Sequence, residues 1–181
     1  MTRVVALSRT EAEGIIPGNI SCAVISISNP NRGGRFSNKF ISSILPLSFH
    51  DVEVITDTPS GRFFPMTEND AKRVAVFVDM IWDKIDYLIV HCEAGISRSS
   101  GVAAAILKAK TGDDSEIFKN VRYIPNGTCY RKVIKAFGLD YMQLAYTAIE
   151  KNVGYDSSGG SGKLSYEMNW GEVWDERFGA D

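Results

Sequence analysis

Cysteine and histidine are scarce in this chain: three Cys and two His among 181 residues. The cysteines, Cys22, Cys92 and Cys129, are odd in number and far apart, which argues against a disulfide framework and fits a reducing compartment. They also lack the paired spacing of a zinc site, so no metal and no cofactor is expected. Neither sign of charge dominates, with 20 Lys and Arg against 22 Asp and Glu for a net charge of -2. Without a global field, binding to nucleic acid or to an anionic membrane is not expected, and any anion site must be local. No run approaches the roughly 20 apolar residues that span a bilayer. The segment MTRVVALSRTEAEG lacks the apolar core of a signal peptide, and together these absences lead to the expectation of a cytoplasmic protein.

What is present is 44% hydrophobic residues, enough for one good core, whereas two full domains would both be small. Short β-branched runs alternate with helical patterns. RVVAL and CAVISIS read as strands, with SRTEAEGII between them as a short helix opened by a Ser cap. NPNRGGRFSNKF reads as loop, and ISSILPLSF as a third strand whose Pro suggests an edge or a bend. TENDAKRVAVFVDMIWDKI predicts a helix over about residues 68–84, capped by Thr67, with Ala71, Val74, Val76, Phe77, Ile81 and Trp82 on its buried face. DYLIV predicts a strand buried on both sides, and SSGVAAAILKAKTG a helix closed by Gly112. Two further helices are expected in SEIFKNV and YRKVIKAFGLDYMQLAYTAIEK. The expectation is an α/β domain over residues 1–155, with a mostly parallel central sheet flanked by helices. A Gly/Ser-rich linker follows at 156–163, then an aromatic and acidic tail at 164–181. In that tail Trp170, Trp174 and Phe178 recur every fourth residue. It reads either as a disordered or added peptide, or as a short amphipathic helix free to contact its own domain or a neighbouring chain.

The stretch YLIVHCEAGISRSSGVAAAIL is the least ordinary. A core strand needs neither His91 nor Cys92 at its end, and the helix dipole disfavours a cation such as Arg98 in a first turn. A bound anion would explain Arg98. Between Cys92 and Arg98 stand Glu93, Ala94, Gly95, Ile96 and Ser97, and Gly95 permits the backbone angles that let such a loop curl. A curled strand-to-helix loop turns successive N–H groups inward and forms a cradle for a tetrahedral oxyanion. Arg98 can close that cradle with two parallel hydrogen bonds, which a Lys could not reproduce. Cys92 then lies at the floor, where the positive surroundings favour a thiolate placed for in-line attack.

HCEAGISRS, residues 91–99, resembles the protein tyrosine phosphatase signature His-Cys-x5-Arg-Ser/Thr, and VHCEAGISRS is most similar to its dual-specificity branch. LPLSFHDVE resembles that family's strand and acid-bearing loop, and RYIPNGTCYRKVIKAFG the segment whose Pro-Asn pair packs behind the phosphate loop. The resemblance spans roughly residues 4–151 and is closest to small bacterial or phage enzymes. It implies a strand, phosphate loop and helix core, with Cys92 as nucleophile and residues 93–98 binding substrate phosphate. It further implies that Arg98 stabilises the transition state and that Ser99 assists departure of the Cys92 thiolate from a phosphocysteine. By the same resemblance His91 holds the loop and tunes Cys92, and Asn126 braces it from behind.

Such chemistry needs a general acid, because an alkyl or aryl oxide leaves slowly without a proton. Asp51 matches the family's acid by its place after the ILPLSF strand. Asp57 is the alternative, since VITDTPSGRFFPM reads as an insertion that lengthens the path to Cys92. The expected partner is a phosphoprotein, phosphotyrosine before phosphoserine or phosphothreonine. Phosphoinositides fit less well, because the loop offers no Lys to meet extra phosphates. Two other classes compete: a sulfurtransferase, which also places a Cys-headed loop at a strand end, and a phosphate-binding or interaction module with weak activity.

Overall fold

The computed structural model describes residues 1–30 and 36–140. In that span the elements are β1 (Arg3–Ser8), α1 (Arg9–Glu13), β2 (Cys22–Ser28), β3 (Ser43–Ser48), β4 (Thr56–Thr58), β5 (Gly61–Phe63), α2 (Glu68–Ile81), β6 (Tyr87–Cys92), α3 (Arg98–Thr111), α4 (Ser115–Phe118) and α5 (Gly127–Ala136). Residues 141–155, where the last expected helix would have continued, and the expected linker and tail at 156–181 lie outside the described residues.

Four strands form one parallel sheet in the order β1-β6-β2-β3. The apolar β6 is paired on both edges, and from Leu88 to its end every residue is buried. That is why its sequence is continuous rather than alternating. β3 is the outer strand, where Pro46 can sit opposite Ser26 without costing the sheet a shared hydrogen bond. Its carbonyl instead accepts from Arg73 Nη2 at 2.8 Å. The segment read as an insertion folds into the antiparallel hairpin β4–β5, separate from the main sheet. Among the described residues no helix is long and apolar enough to cross a membrane.

Both faces of the sheet are covered. On one, Ala12 of α1 packs with Val24, Phe36, Ile41 and Ile89. The other carries α3, which is buried from Arg98 through Leu107 and packs on β1, β6 and α5. α1 opens with the expected Ser cap: Ser8 Oγ accepts from Glu11 N, and the Glu11 carboxylate accepts from Ser8 N at 2.7 Å. α2 opens the same way on Thr67 and Asp70. Its buried face differs from the expected one. Ala71, Val74, Ala75 and Val78 point inward, a spacing of three, four and seven residues, and Val76 is turned out with 59% of its surface exposed. The helix also ends at Ile81, and Trp82–Lys84 forms a separate 3-10 turn. α4 is one turn long rather than spanning all of SEIFKNV, and α5 starts at Gly127 under an Asn126 cap, earlier than its apolar pattern suggested.

α3 and α5 touch through a glycine. A Cβ added to Gly101 would come within 2.5 Å of the Asn126 carbonyl oxygen and 3.2 Å of Cys129 Cβ. Since the first of these atoms is backbone, the helices would have to separate. Gly101→Ala is expected to lower stability by roughly 1–3 kcal/mol, read as a lower urea midpoint at unchanged slope.

Candidate active site

β6 ends in the buried pair His91 and Cys92, whose register partners are Leu7 and Ser8 of β1. The chain then turns through residues 93–97 into α3. The turn is pressed against the end of β1 at Gly95, which has φ of 74°. A Cβ there would lie 2.3 Å from Ser8 N and 2.4 Å from the Leu7 carbonyl carbon, so only glycine fits. Three of the loop's five carbonyls accept from the surrounding chain. Glu93 O accepts from Arg9 N at 3.3 Å, Ile96 O from Ile124 N at 3.1 Å, and Ser97 O from Asn126 N at 3.1 Å. Ser100 Oγ lies within reach of both Ile96 O and Ser97 O. Carbonyls engaged with the surrounding chain leave a turn's N–H groups as the side that can meet an anion.

Cys92 Sγ is 3.3 Å from Gly95 N, which donates to it, and 3.2 Å from Ser99 Oγ. Both groups can donate to a thiolate. Arg98 is 4% exposed, and one edge of its guanidinium is anchored: Nη1 donates to Asn29 Oδ1 at 2.6 Å and to Phe49 O at 2.8 Å. Nε has no hydrogen-bond acceptor among the described residues, and Asp51 Oδ2 stands 3.8 Å away. The guanidinium thus has one edge fixed by the protein and a buried donor uncommitted.

Asp51 joins this group. Its Oδ1 accepts from Ser97 Oγ at 2.8 Å and from Asn126 Nδ2 at 3.0 Å, with its side chain 40% exposed. Asp57 does not. It sits in the β4–β5 hairpin with its carboxylate 3.2 Å from Arg62 Nε and 75% exposed. Asn126 occupies the place behind the loop, and its Oδ1 accepts from Cys129 N at 2.9 Å to cap α5. Of the other two cysteines Cys129 is buried and Cys22 partly exposed; burial pushes the Cys129 thiol well up and pushes the Cys22 thiol up as well.

Two partners of Arg98 had escaped the sequence reading, Asn29 and the Phe49 carbonyl. Both follow the carboxyl ends of their strands, β2 and β3, where parallel sheets collect their ligand-binding groups. That rule was the available signal. Glu53 was also missed. Its carboxylate accepts from Gly127 N at 2.6 Å and Thr128 N at 2.7 Å, at the start of α5.

No protein-family model and no curated protein sequence matches the chain. Solved structures do: human DUSP28 superposes with a TM-score of 0.54 at 13% identity, covering 81% of this chain and 94% of that one. The fold is that of the dual-specificity phosphatases. PTPMT1 in complex with PI(5)P is a weaker likeness, with TM-score 0.47, 15% identity, and 80% and 91% of the two chains covered. DUSP15 is weaker again, at 0.43, 18%, 77% and 81%. Within this dual-specificity phosphatase fold the loop described above joins the central strand to its helix, as the HCEAGISRS signature led one to expect.

His91 lies under that loop, fully buried, its ring 4.7 Å from the ring of Phe36. Nδ1 is 3.4 Å from Cys92 O, and Nε2 has no hydrogen-bond partner among the described residues. A proton added there would be a buried charge without an acceptor, so burial pushes the His91 pKa down to about 4. Because this lies below the unfolded value of about 6.5, the unfolded chain takes up the proton first, and stability falls as pH drops from about 6.5 towards 4. Between pH 7 and pH 4.5 the wild type should lose about 2 kcal/mol more unfolding free energy than His91→Gln. Urea titrations at the two pH values measure it, and equal losses would remove His91 from the acid response.

Proposed function

We propose that the protein is a cysteine-dependent phosphomonoester hydrolase that removes phosphate from phosphoproteins, phosphotyrosine before phosphoserine or phosphothreonine, through a phosphocysteine intermediate. The observation that carries this reading is Arg98, which is buried at the start of α3, anchored along one edge through Nη1, and has an Nε with no hydrogen-bond acceptor among the described residues that faces the Asp51 carboxylate at 3.8 Å. Phosphate oxygens are bidentate acceptors for such a guanidinium.

The arrangement supports the following reaction. The backbone amides of Glu93, Ala94, Gly95, Ile96 and Ser97, with Arg98, hold the non-bridging oxygens. The Cys92 thiolate attacks phosphorus in line, and the bond to the leaving oxygen breaks. Asp51, held over Ser97 at the rim, gives that oxygen its proton. Asp51, now ionised, takes a proton from water as the water attacks the phosphocysteine, and inorganic phosphate leaves. Ser99, 3.2 Å from Sγ, donates to the sulfur as it becomes a thiolate again. His91 and Asn126 support the loop from beneath and behind. No cofactor or metal enters any step. A reducing cytoplasm would keep the nucleophile unoxidised.

The loop's side chains favour a protein substrate over a polyphosphorylated lipid. Glu93 places a carboxylate among its variable positions and no Lys is present to meet a second phosphate.

Cys92→Ser should abolish p-nitrophenyl phosphate turnover, and vanadate should inhibit the wild type. Hydrolysis that survives Cys92→Ser would end the reading, while turnover of thiosulfate in its place would indicate a sulfurtransferase. Asp51→Asn should lower kcat/KM for phenyl phosphate by roughly 10²- to 10⁴-fold, and far less for dinitrophenyl phosphate, whose leaving group needs no proton. The same selective loss in Asp57→Asn would transfer the role.

A further inference from the structure

The loop that carries Asp51 has no regular hydrogen-bonded structure of its own, yet it is tied down at both ends of the triplet Asp51, Val52, Glu53. On the upstream side His50 N donates to Phe64 O at 2.9 Å, and Phe64 N donates back to His50 Nδ1 at 3.1 Å. On the downstream side Glu53 makes the denser attachment. Its Oε1 accepts from Gly127 N at 2.6 Å and its Oε2 from Thr128 N at 2.7 Å. Thr128 Oγ1 lies 2.5 Å from Oε2 and 2.8 Å from the Glu53 carbonyl oxygen, so its proton is available to either. Arg131 Nη2 adds a charge 3.2 Å from Oε2.

A carboxylate is well suited to this place. Two N–H groups at the first turn of a ten-residue helix present parallel donors and a positive dipole end, and the two oxygens of Glu53 match them one to one. The next residue back, Asn126, donates to Asp51 Oδ1 and to the Ser97 carbonyl at once. One helix start therefore holds Glu53, Asp51 and the phosphate loop in a common frame.

We propose that Glu53 is a positioning residue: it fixes the loop on α5 so that Asp51 stands at the rim in proton-transfer reach of the leaving oxygen. The proposal rests on the reading of Asp51 as general acid. Glu53 touches neither Cys92 nor Arg98 by any hydrogen bond or ion pair among the described residues, so its effect is transmitted through the start of α5 to the loop that carries Asp51. A Gln in its place keeps one acceptor but brings an amide N–H against a backbone N–H, which breaks half of the clamp.

The test compares kcat/KM for phenyl phosphate, which requires a proton on its leaving oxygen, with that for dinitrophenyl phosphate, which does not. Glu53→Gln should lower the first by on the order of 10-fold and leave the second within about twofold. In an Asp51→Asn background Glu53→Gln should cost nothing further on either substrate. Thr128→Val, which keeps both amide bonds to Glu53 and removes only the hydroxyl, should shift the same ratio in the same direction by a smaller factor. It carries the test if Glu53→Gln does not fold. Equal losses on the two substrates, or a loss that adds to that of Asp51→Asn, would overturn the proposal. Hydrolysis that depends on Cys92 and Asp51 but is blind to Glu53 and Thr128 would sink this inference alone, whereas hydrolysis indifferent to Cys92→Ser would sink the function on which it rests.

Discussion

A guanidinium buried under the carboxyl ends of a parallel sheet is the constraint around which this molecule is arranged. A buried guanidinium taken from water must be matched by acceptors at close range. Those acceptors come from distant parts of the chain: Asn29 after β2, Phe49 after β3 and, at longer range, the Asp51 carboxylate. One side chain at the start of α3 therefore gathers the ends of two other strands. The interaction has a direction as well as a strength. By engaging Nη1 from the protein side, Asn29 and Phe49 set the plane of the guanidinium and leave Nε on the opposite side from them.

The second organising point is the start of α5. Asn126 caps its own helix through Oδ1, reaches Asp51 through Nδ2 and donates its backbone N–H to Ser97 O. Gly101 lets α3 approach this turn closely enough for those three bonds to coexist. Packing between two helices and placement of a carboxylate are here the same geometric requirement, which is why a core glycine bears on the site as directly as any polar residue. The same helix start carries Glu53, so the loop between β3 and β4 is held by α5 on its downstream side and by Phe64 on its upstream side.

Much of this was legible because it is contiguous. Residues 91–99 lie on one strand, one turn and one helix start, and residue types with fixed spacing are enough to read them. Asp51 was legible by its place after a strand, and the structure brings it, rather than Asp57, to the loop. Asn29 and Glu53 were not, because their partners lie 69 and about 75 residues away in sequence and neither belongs to a local pattern. The exchange of Val76 for Val78 on the buried face of α2 has a simple cause. Both are apolar, composition alone cannot rank them, and only the angular position relative to Ala71 and Val74 decides. The β4–β5 hairpin was missed because its strands are three residues each, too short to show alternation.

The close approach of Gly95 to the end of β1 has a consequence for the order in which the molecule can be assembled. Among the described residues β1 is an outer strand of the sheet with β6 as its only partner, and the register pairs Arg3 with Tyr87 across 84 residues. During synthesis β1 must wait, apolar and unpaired, until β6 has been made, and the loop after β6 acquires its shape only when Ser8 and Leu7 are there to receive it. Closure of so long a loop is slow compared with local helix formation. The turn that follows Cys92 thus takes its shape from a contact 84 residues away in sequence rather than from its neighbours alone.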